Sequence, residues 1–310
     1  MFKKMNNYLL GILVVLLILA FAGCPAERKE TTTKGHVIVA VAESVSPMIQ
    51  QEKTQFEDLY PEAKVDLLTM TDREAVTRMF NDTIKVVVLS RQLNQEESQV
   101  AKKYNISFQE LKIAIDGIAI IVNDKNPVSQ LRTTQLDSIF SGTANNWKSV
   151  GGKTASIELC LPDPNSGPFE VAGMKILNGK KFASPASVAV SSKAMLDFVA
   201  DHPNAVGIIG LNWLVEKKEN VKVLELSDPN APDSLNIKGQ YFGTHQAHVY
   251  RGFYPLTTNV YIYSRSDMYS VGAGFSSFIA SGPGQKIVLN NGLVPATMPV
   301  RLVQLTNKGI

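Results

Sequence analysis

Short β-branched runs alternate with segments of helical spacing along most of the chain, and this alternation constrains the fold most. Apolar residues recur at helical spacing within 47–60 and 73–81, and a short apolar run precedes each of these segments. Strands that alternate with helices are typical of α/β sheets with parallel neighbours. The predicted strands are 37–42, 63–68, 86–90, 113–122, 156–161, 206–209, 260–263, 293–295 and 300–305.

Two long extended runs, 113–122 and 260–263, bracket the middle of the chain. They predict that the chain leaves a first lobe and later returns to it. The predicted fold is therefore α/β with two lobes, two hinge crossovers and a central ligand cleft at the carboxyl ends of the strands. We expect residues 35–115 plus 256–310 to form a discontinuous lobe 1, and 116–255 to form lobe 2.

The N-terminus has the pattern of a secretory signal peptide. Lys3 and Lys4 precede an apolar run of 14 residues from Leu9 to Ala22, and small residues follow. This run is shorter than the roughly 20 residues that a transmembrane helix needs. Residues 1–23 are therefore predicted to be removed, and the protein is predicted to work outside the cytoplasm.

Cys24 closes an Ala-Gly-Cys sequence that resembles the lipobox of bacterial lipoproteins. The resemblance implies that Cys24 carries a lipid, anchors the protein to a membrane in the periplasm and begins the mature chain. The alternative is an ordinary signal peptide that is cut nearby. The polar residues up to Lys34 show no apolar periodicity, so 24–34 is predicted to be a lipidated cysteine with its tether.

Composition excludes several classes of function. The chain has 31 Lys and Arg against 28 Asp and Glu, and loss of Lys3 and Lys4 leaves an excess of only one positive charge. This balance argues against a nucleic-acid partner. Of the four histidines, only His245 and His248 are close, and they have no carboxylate or thiolate partner nearby in the sequence. Cys160 lies in an apolar run, and no catalytic motif is present. The sequence therefore predicts a monomeric binding protein, not an enzyme, with no cofactor and no metal.

Two segments begin helices directly after predicted strands. Ser44-Val45-Ser46-Pro47 and Asn165-Ser166-Gly167-Pro168 each combine a capping serine with a proline at the start of a helix. Two helix N-termini that face one cleft would direct free N–H donors at an oxyanion. The alternative is that each segment is only a helix cap.

Ser90 and Arg91 follow a third strand, where a guanidinium could hold an oxyanion through two hydrogen bonds. The alternative for Arg91 is a solvated surface side chain. Glu43 would repel an anion unless it accepts a proton-bearing ligand oxygen. The predicted ligand-binding residues are Glu43, Ser44, Val45, Ser46, Ser90, Arg91, Asn165, Ser166 and Gly167.

Seven strings along the chain have a specific pattern: Asp116–Asn123, Asn126-Pro127, Gln135–Gly142, Asn146–Gly152, Gly207–Gly210, Tyr254–Tyr263 and Gly284–Pro295. Together they resemble the phosphate-binding proteins of phosphate ABC transporters, which have the type II periplasmic-binding-protein fold. Asn212-Trp213 and Ala296 to Arg301 resemble the Bacteroidetes lipoprotein branch of that family.

The resemblance implies capture of inorganic phosphate, or a similar oxyanion, for an ABC permease. It places the phosphate contacts on three loops, at 42–46, 89–91 and 165–168. Two of these loops depart from the family pattern, because Glu43 replaces a serine and Pro168 replaces a threonine. The alternative function is an envelope interaction or sensor protein that kept the fold and has a degenerate anion site.

Overall fold

The computed structural model describes residues 30–297. The predicted signal peptide, Cys24 and the predicted strand at 300–305 lie outside the described residues. The strands are β1 (Gly35–Ala42), β2 (Ala63–Met70), β3 (Val86–Leu89), β4 (Gln109–Asn123), β5 (Gln130–Arg132), β6 (Glu158–Pro162), β7 (Ser187–Ala189), β8 (Ala205–Gly210), β9 (Val221–Val223), β10 (Glu225–Ser227), β11 (Thr257–Ser264) and β12 (Val294–Pro295). The helices are α1 (Ser46–Leu59), α2 (Asp72–Phe80), α3 (Gln95–Lys103), α4 (Thr133–Phe140), α5 (Gly167–Leu177), α6 (Ser192–Asp201), α7 (Gln246–Tyr250), α8 (Val271–Ala280) and α9 (Gly282–Asn290).

One curved sheet runs through the molecule in the order β2-β1-β3-β11-β4-β8-β6-β7. The prediction of parallel neighbours holds for β1 with β2 and β3, and for β6 with β7 and β8. The central strands β11 and β4 run antiparallel. Because the chain crosses between the two halves once in each direction, its two crossing strands run in opposite directions.

Strand β4 joins the two halves of the molecule. Its first part, through Gly117, pairs with β11, and its second part, from Ile118, pairs with β8. We call the half built on β1–β3 and β11 the first lobe, and the half built on β6–β8 the second lobe. The described hydrophobic core divides in the same way, since Phe56 and Phe275 belong to one cluster and Phe140 and Trp147 to another. The boundaries at 116 and 256 stay a prediction.

Capping residues set where the helices begin. Thr71 and Ser166 accept hydrogen bonds from backbone amides in the first turns of α2 and α5, and Ser191 does so at α6. Asn94 and Glu97 form a reciprocal capping box at the start of α3. These caps fix α2, α5 and α6 directly after strands, so their N-termini lie at the carboxyl edge of the sheet.

The described part of the predicted tether contacts the first lobe. The Glu30 carboxylate accepts a hydrogen bond from the Val271 amide at 3.2 Å, and Thr31 forms an isolated bridge with Lys34. The Thr32 carbonyl lies against Gly274, where a Cβ atom would come within 1.8 Å of the carbonyl oxygen. Residues 30–34 therefore pack on helix α8.

A buried carboxyl lies where β4 passes between the lobes. Asp116 accepts hydrogen bonds from the amides of Gly117, at 2.7 Å, and Leu211, at 3.1 Å. Burial raises the pKa of Asp116 to about 7, and these two hydrogen bonds oppose that shift. The contact ties the crossover strand to the short 3-10 helix Leu211–Leu214 of the second lobe.

Candidate ligand-binding site

A small cavity lies between the lobes at the carboxyl ends of the parallel strands. Its volume is about 30 Å³, and its lining comes from both lobes. Open α/β sheets bind ligands at this edge, where strands end and helices begin. The residues that line it are Glu43, Ser44, Thr71, Asp72, Pro162, Asp163, Ser166, Pro168, Ala189, Val190, Ser191, Ser192, Met195, Ile208 and Ile209.

The carboxylate of Asp72 collects hydrogen bonds from both lobes. Within the first lobe, it accepts from the Ser90 amide at 2.8 Å and from the Ser90 hydroxyl at 3.0 Å. From the second lobe, it accepts from the Gly167 amide at 2.6 Å. Gly167 is the first residue of α5, so this amide has no partner within the helix. The three donors form a pocket of neutral groups around one oxyanion.

A second carboxylate makes the same kind of contact. One carboxylate oxygen of Glu43 accepts from the Ser192 amide at 2.9 Å, and the other accepts from the Ser192 hydroxyl at 2.8 Å. Ser192 begins α6 in the second lobe. The N-termini of α5 and α6 therefore each bind a carboxylate from the first lobe, as expected for the positive ends of helix dipoles.

The cavity is acidic. Among the described residues, its lining contains the carboxylates of Glu43, Asp72 and Asp163 and no lysine, arginine or histidine. Burial raises the pKa of Asp72, and the nearby Arg91 with the Gly167 and Ser90 hydrogen bonds opposes that shift. Burial also raises the pKa of Glu43, against the hydrogen bonds from Ser192. Hydrogen bonds, and not a cation in the lining, thus hold the two carboxylates.

Residues of the first predicted loop lie partly at the cavity and partly in the hydrophobic core. Ser44 is 4% exposed and lines the cavity, and its hydroxyl has no hydrogen-bond partner among the described residues. Val45 is buried in the hydrophobic core of the first lobe. The Ser46 hydroxyl donates to the Glu43 carbonyl at 2.9 Å within its own turn. Of this loop, Glu43 and Ser44 face the cavity, whereas Ser46 braces the loop.

Arg91 is buried, but it does not line the cavity. Its guanidinium makes a bidentate pair with Glu97, at 2.7 and 2.8 Å, and its Nε lies 2.7 Å from a carboxylate oxygen of Glu170. A solvated surface position, the alternative for this residue, is therefore excluded. Two carboxylates already neutralise the guanidinium. Its role as a direct ligand contact stays a prediction.

The third predicted loop faces two directions. The Ser166 hydroxyl donates to the Asp163 carbonyl at 2.7 Å and caps α5, and Ser166 lines the cavity. Asn165 lies outside the cavity, where its carbonyl accepts from the Arg73 amide of the first lobe at 3.1 Å. Gly167 contributes its amide to Asp72. The structure thus brings Ser90 and Gly167 together at Asp72 and places Asn165 at the edge, and their role as ligand contacts stays a prediction.

Sequence reasoning missed the residue at the centre of the site. Asp72 follows β2 and begins α2, which is the same strand-to-helix pattern that singled out the loops at 42–46 and 165–168. Ser191 and Ser192 follow β7 in the same way. The pattern therefore contained the necessary signal at all of these positions. The pattern could not show that these carboxylates pair with helix N-termini of the other lobe.

The family described as the PBP superfamily domain matches residues 26–283, which is most of the chain. The chain belongs to the PBP superfamily. The predicted fold class is confirmed, since two-lobed binding proteins share this architecture. Among the residues of this PBP superfamily protein that the structure describes, no helix is long and apolar enough to cross a membrane.

The chain is similar in sequence to a phosphate-binding protein. The phosphate-binding protein PstS of Staphylococcus aureus (strain USA300) is 25% identical over 218 residues, which cover 69% of this chain and 66% of that protein. The matched region thus spans slightly less than two thirds of the relative. This similarity supports the predicted resemblance to phosphate-binding proteins.

Solved structures with the same fold cover 84% of this chain. A putative phosphate ABC transporter substrate-binding protein with bound phosphate from Clostridium perfringens has a TM-score of 0.73 at 22% identity over its whole length. An ABC-type phosphate transport receptor from Vibrio cholerae has a TM-score of 0.66 at 20% identity, also over its whole length.

Proposed function

We propose that this PBP superfamily protein captures a small oxyanion, phosphate first, between its lobes and delivers it to an ABC permease without catalysing a reaction. One observation carries the proposal. The Gly167 amide, the Ser90 amide and the Ser90 hydroxyl, from two different lobes, converge on a single carboxylate at 2.6 to 3.0 Å. Hydrogen-bond donors that bind a carboxylate in this way can also bind the oxygens of an inorganic oxyanion.

The orphan hydroxyl of Ser44 supports a ligand in the cavity. Ser44 is buried, lines the cavity and lacks a hydrogen-bond partner among the described residues. Leaving a buried hydroxyl without a partner costs about 1–3 kcal/mol. A bound oxyanion would supply that partner. The similar proteins from Staphylococcus aureus and Clostridium perfringens, a phosphate-binding protein and a substrate-binding protein with bound phosphate, favour phosphate among the oxyanions.

The size of the cavity implies that capture requires motion of the lobes. A volume of about 30 Å³ holds only about two water molecules, which need roughly 10–15 Å³ each, whereas phosphate has five heavy atoms. The lobes must therefore open to admit an anion. Hinged opening about the crossover strands is the motion typical of two-lobed binding proteins.

The cellular setting follows from the N-terminal sequence. The signal peptide and Ala-Gly-Cys sequence favour a periplasmic monomer that is anchored by a lipid on Cys24. We assign residues 35–115 plus 256–310 to lobe 1 and 116–255 to lobe 2. Because a lipid anchor keeps the protein at the membrane, the loaded lobes would remain close to the permease.

Calorimetric titration of the full chain in detergent tests the proposal. Bound anion is first removed by partial unfolding and dialysis, and the protein is then titrated with phosphate, sulfate and phosphonates. We expect heat with phosphate and at least tenfold weaker binding by Ser90→Ala, because the variant loses one of the converging donors. Ser98→Ala is the matched control, since Ser98 is exposed in the same lobe. Absence of heat with every oxyanion would reject the proposal.

A further inference from the structure

The lobes are joined at the cavity by carboxylates of the first lobe and helix N-termini of the second. Asp72 binds the Gly167 amide at the start of α5, and Glu43 binds the Ser192 amide and hydroxyl at the start of α6. Each of these amides is a first-turn donor without a partner inside its helix. The donors proposed for an external oxyanion are thus already bound to oxygens of the protein itself.

A second row of contacts lies beside the cavity. Glu170 of the second lobe accepts from the Asn94 side chain at 2.9 Å and pairs with Arg91 at 2.7 Å. The Arg73 amide donates to the Asn165 carbonyl at 3.1 Å. These contacts also connect the first lobe to the second, so closure at the cavity is reinforced along its edge.

The fit between the lobes leaves no space for an anion at the first of these contacts. A Cβ atom on Gly167 would lie 2.0 Å from the Ser90 hydroxyl oxygen and 3.0 Å from both carboxylate oxygens of Asp72. Ser90 and Gly167 therefore pack directly against each other across the cleft. An external oxyanion that used both groups would have to separate them.

We propose that Asp72 and Glu43 are internal ligands, which occupy the anion-binding donors and hold the cleft closed when no external oxyanion is bound. The inference rests on the proposed function for the identity of the external ligand. The contacts between Asp72 and Gly167 and between Glu43 and Ser192 close the cleft at the cavity without any ligand. An external oxyanion must displace both carboxylates, and their negative charge opposes its approach. Asp72 and Glu43 thereby set the affinity of the site.

Residue-resolved hydrogen exchange of the full chain tests closure directly. The amides to follow are those of Gly167 and Ser192, which donate to Asp72 and Glu43. In phosphate-free buffer we expect both amides to be protected in the parent protein. Protection should fall at least tenfold in the double variant Asp72→Asn with Glu43→Gln, whose neutral side chains keep nearly the same shape.

The same samples report on affinity. Release of the donors and loss of two negative charges should tighten phosphate binding about 10- to 100-fold in the double variant, measured by calorimetry. Glu43→Gln alone is the second variant, because Glu43 is only partly buried and its substitution perturbs folding less. We expect Glu43→Gln to lower the protection of the Ser192 amide and to leave the Gly167 amide more protected than it is in the double variant.

Two controls separate closure from other effects. Asp163→Asn removes a carboxylate from the cavity lining, but the Asp163 side chain binds the Asn165 amide within its own loop at 2.8 Å, so the cleft should stay closed. The amides of Phe169 and Ala194 bond to the capping serines of α5 and α6 inside the second lobe. Their protection should not change in any variant.

The outcomes distinguish this inference from the proposed function. Loss of protection at Gly167 and Ser192 without phosphate binding by any variant would uphold the internal ligands and reject phosphate capture. Unchanged protection in the double variant, with phosphate still bound, would overturn the internal ligands and keep the proposed function. Unchanged phosphate affinity despite lost protection would overturn the competition between the carboxylates and the anion.

Discussion

The Asp72 carboxylate lies 2.6 Å from the Gly167 amide, across the boundary between the two lobes. Asp72 begins α2 in the first lobe, and Gly167 begins α5 in the second. Their hydrogen bond joins two helix N-termini through one side chain. Because of this hydrogen bond, a donor that we propose for the external anion is part of the contact between the lobes.

Gly167→Ala should destabilise the closed cleft and lower the melting temperature of the phosphate-free protein by at least about 2 °C. The new Cβ atom would lie 2.0 Å from the Ser90 hydroxyl oxygen and would force the lobes apart. Thermal unfolding without phosphate measures the change. The matched control is Gly282→Ala, which also changes a glycine before proline at a helix start, but with no atom within 4 Å of the new Cβ. Equal melting temperatures of the two variants would contradict the expected clash.

Arg91→Ala should lower the free energy of unfolding by about 3 kcal/mol, because it leaves the buried Glu97 carboxylate without its bidentate partner. Denaturant unfolding monitored by circular dichroism measures the change. Arg73→Ala is the control: its pair with Glu96 is 3.6 Å long and exposed, and such pairs contribute less than about 1 kcal/mol. A loss below 1 kcal/mol for Arg91→Ala would show that the buried pair adds little.

Glu52→Gln should flatten the dependence of stability on pH. Glu52 is fully buried, its carboxyl oxygens have no hydrogen-bond partner among the described residues, and burial raises its pKa to about 9. In the unfolded chain this group ionises near its usual pKa of 4.5, so the folded state binds more protons between pH 4.5 and 9. Stability should therefore fall as pH rises through that range.

The measurement for Glu52 is thermal unfolding from pH 5 to 9 in the parent and in Glu52→Gln. The control is Glu62→Gln, because Glu62 pairs with Lys34 on the surface, where its side chain is 66% exposed. The control should follow the parent at every pH. A parent-like slope in Glu52→Gln would assign the pH dependence to other groups, such as Asp116, whose pKa is about 7.

Cys24→Ser should release the protein from the membrane. The predicted lipid is attached to the Cys24 thiol, so a serine removes the anchor. Membrane fractionation with radiolabelled fatty acid measures both location and lipid. Cys160→Ser is the control, since Cys160 is a buried free thiol of the second lobe. Continued lipid labelling of Cys24→Ser would place the acyl chain elsewhere.

Local pattern predicted the strands β1–β4 and the helices α1 and α2, but it did not predict α3, β7 or α6. The alternation of β-branched runs with helical spacing predicted the parallel strands β1–β3 and the helices between them, because side-chain period and capping residues act over a few neighbouring positions. The two long extended runs predicted the crossing strands β4 and β11. The serines and prolines at 44–47 and 165–168 predicted helix N-termini at the cleft.

The contacts across the cleft depended on tertiary structure. The sequence placed Glu43, Ser90 and Gly167 on three separate loops, but neither their partners nor the role of Asp72 could be inferred from spacing. From the sequence, Arg91 could be a ligand contact or a surface residue, and the tertiary structure excludes the surface position by burying the side chain between Glu97 and Glu170. A hydrogen bond between residues 95 positions apart depends on how two lobes meet, whereas helix and strand periodicity depends on adjacent residues.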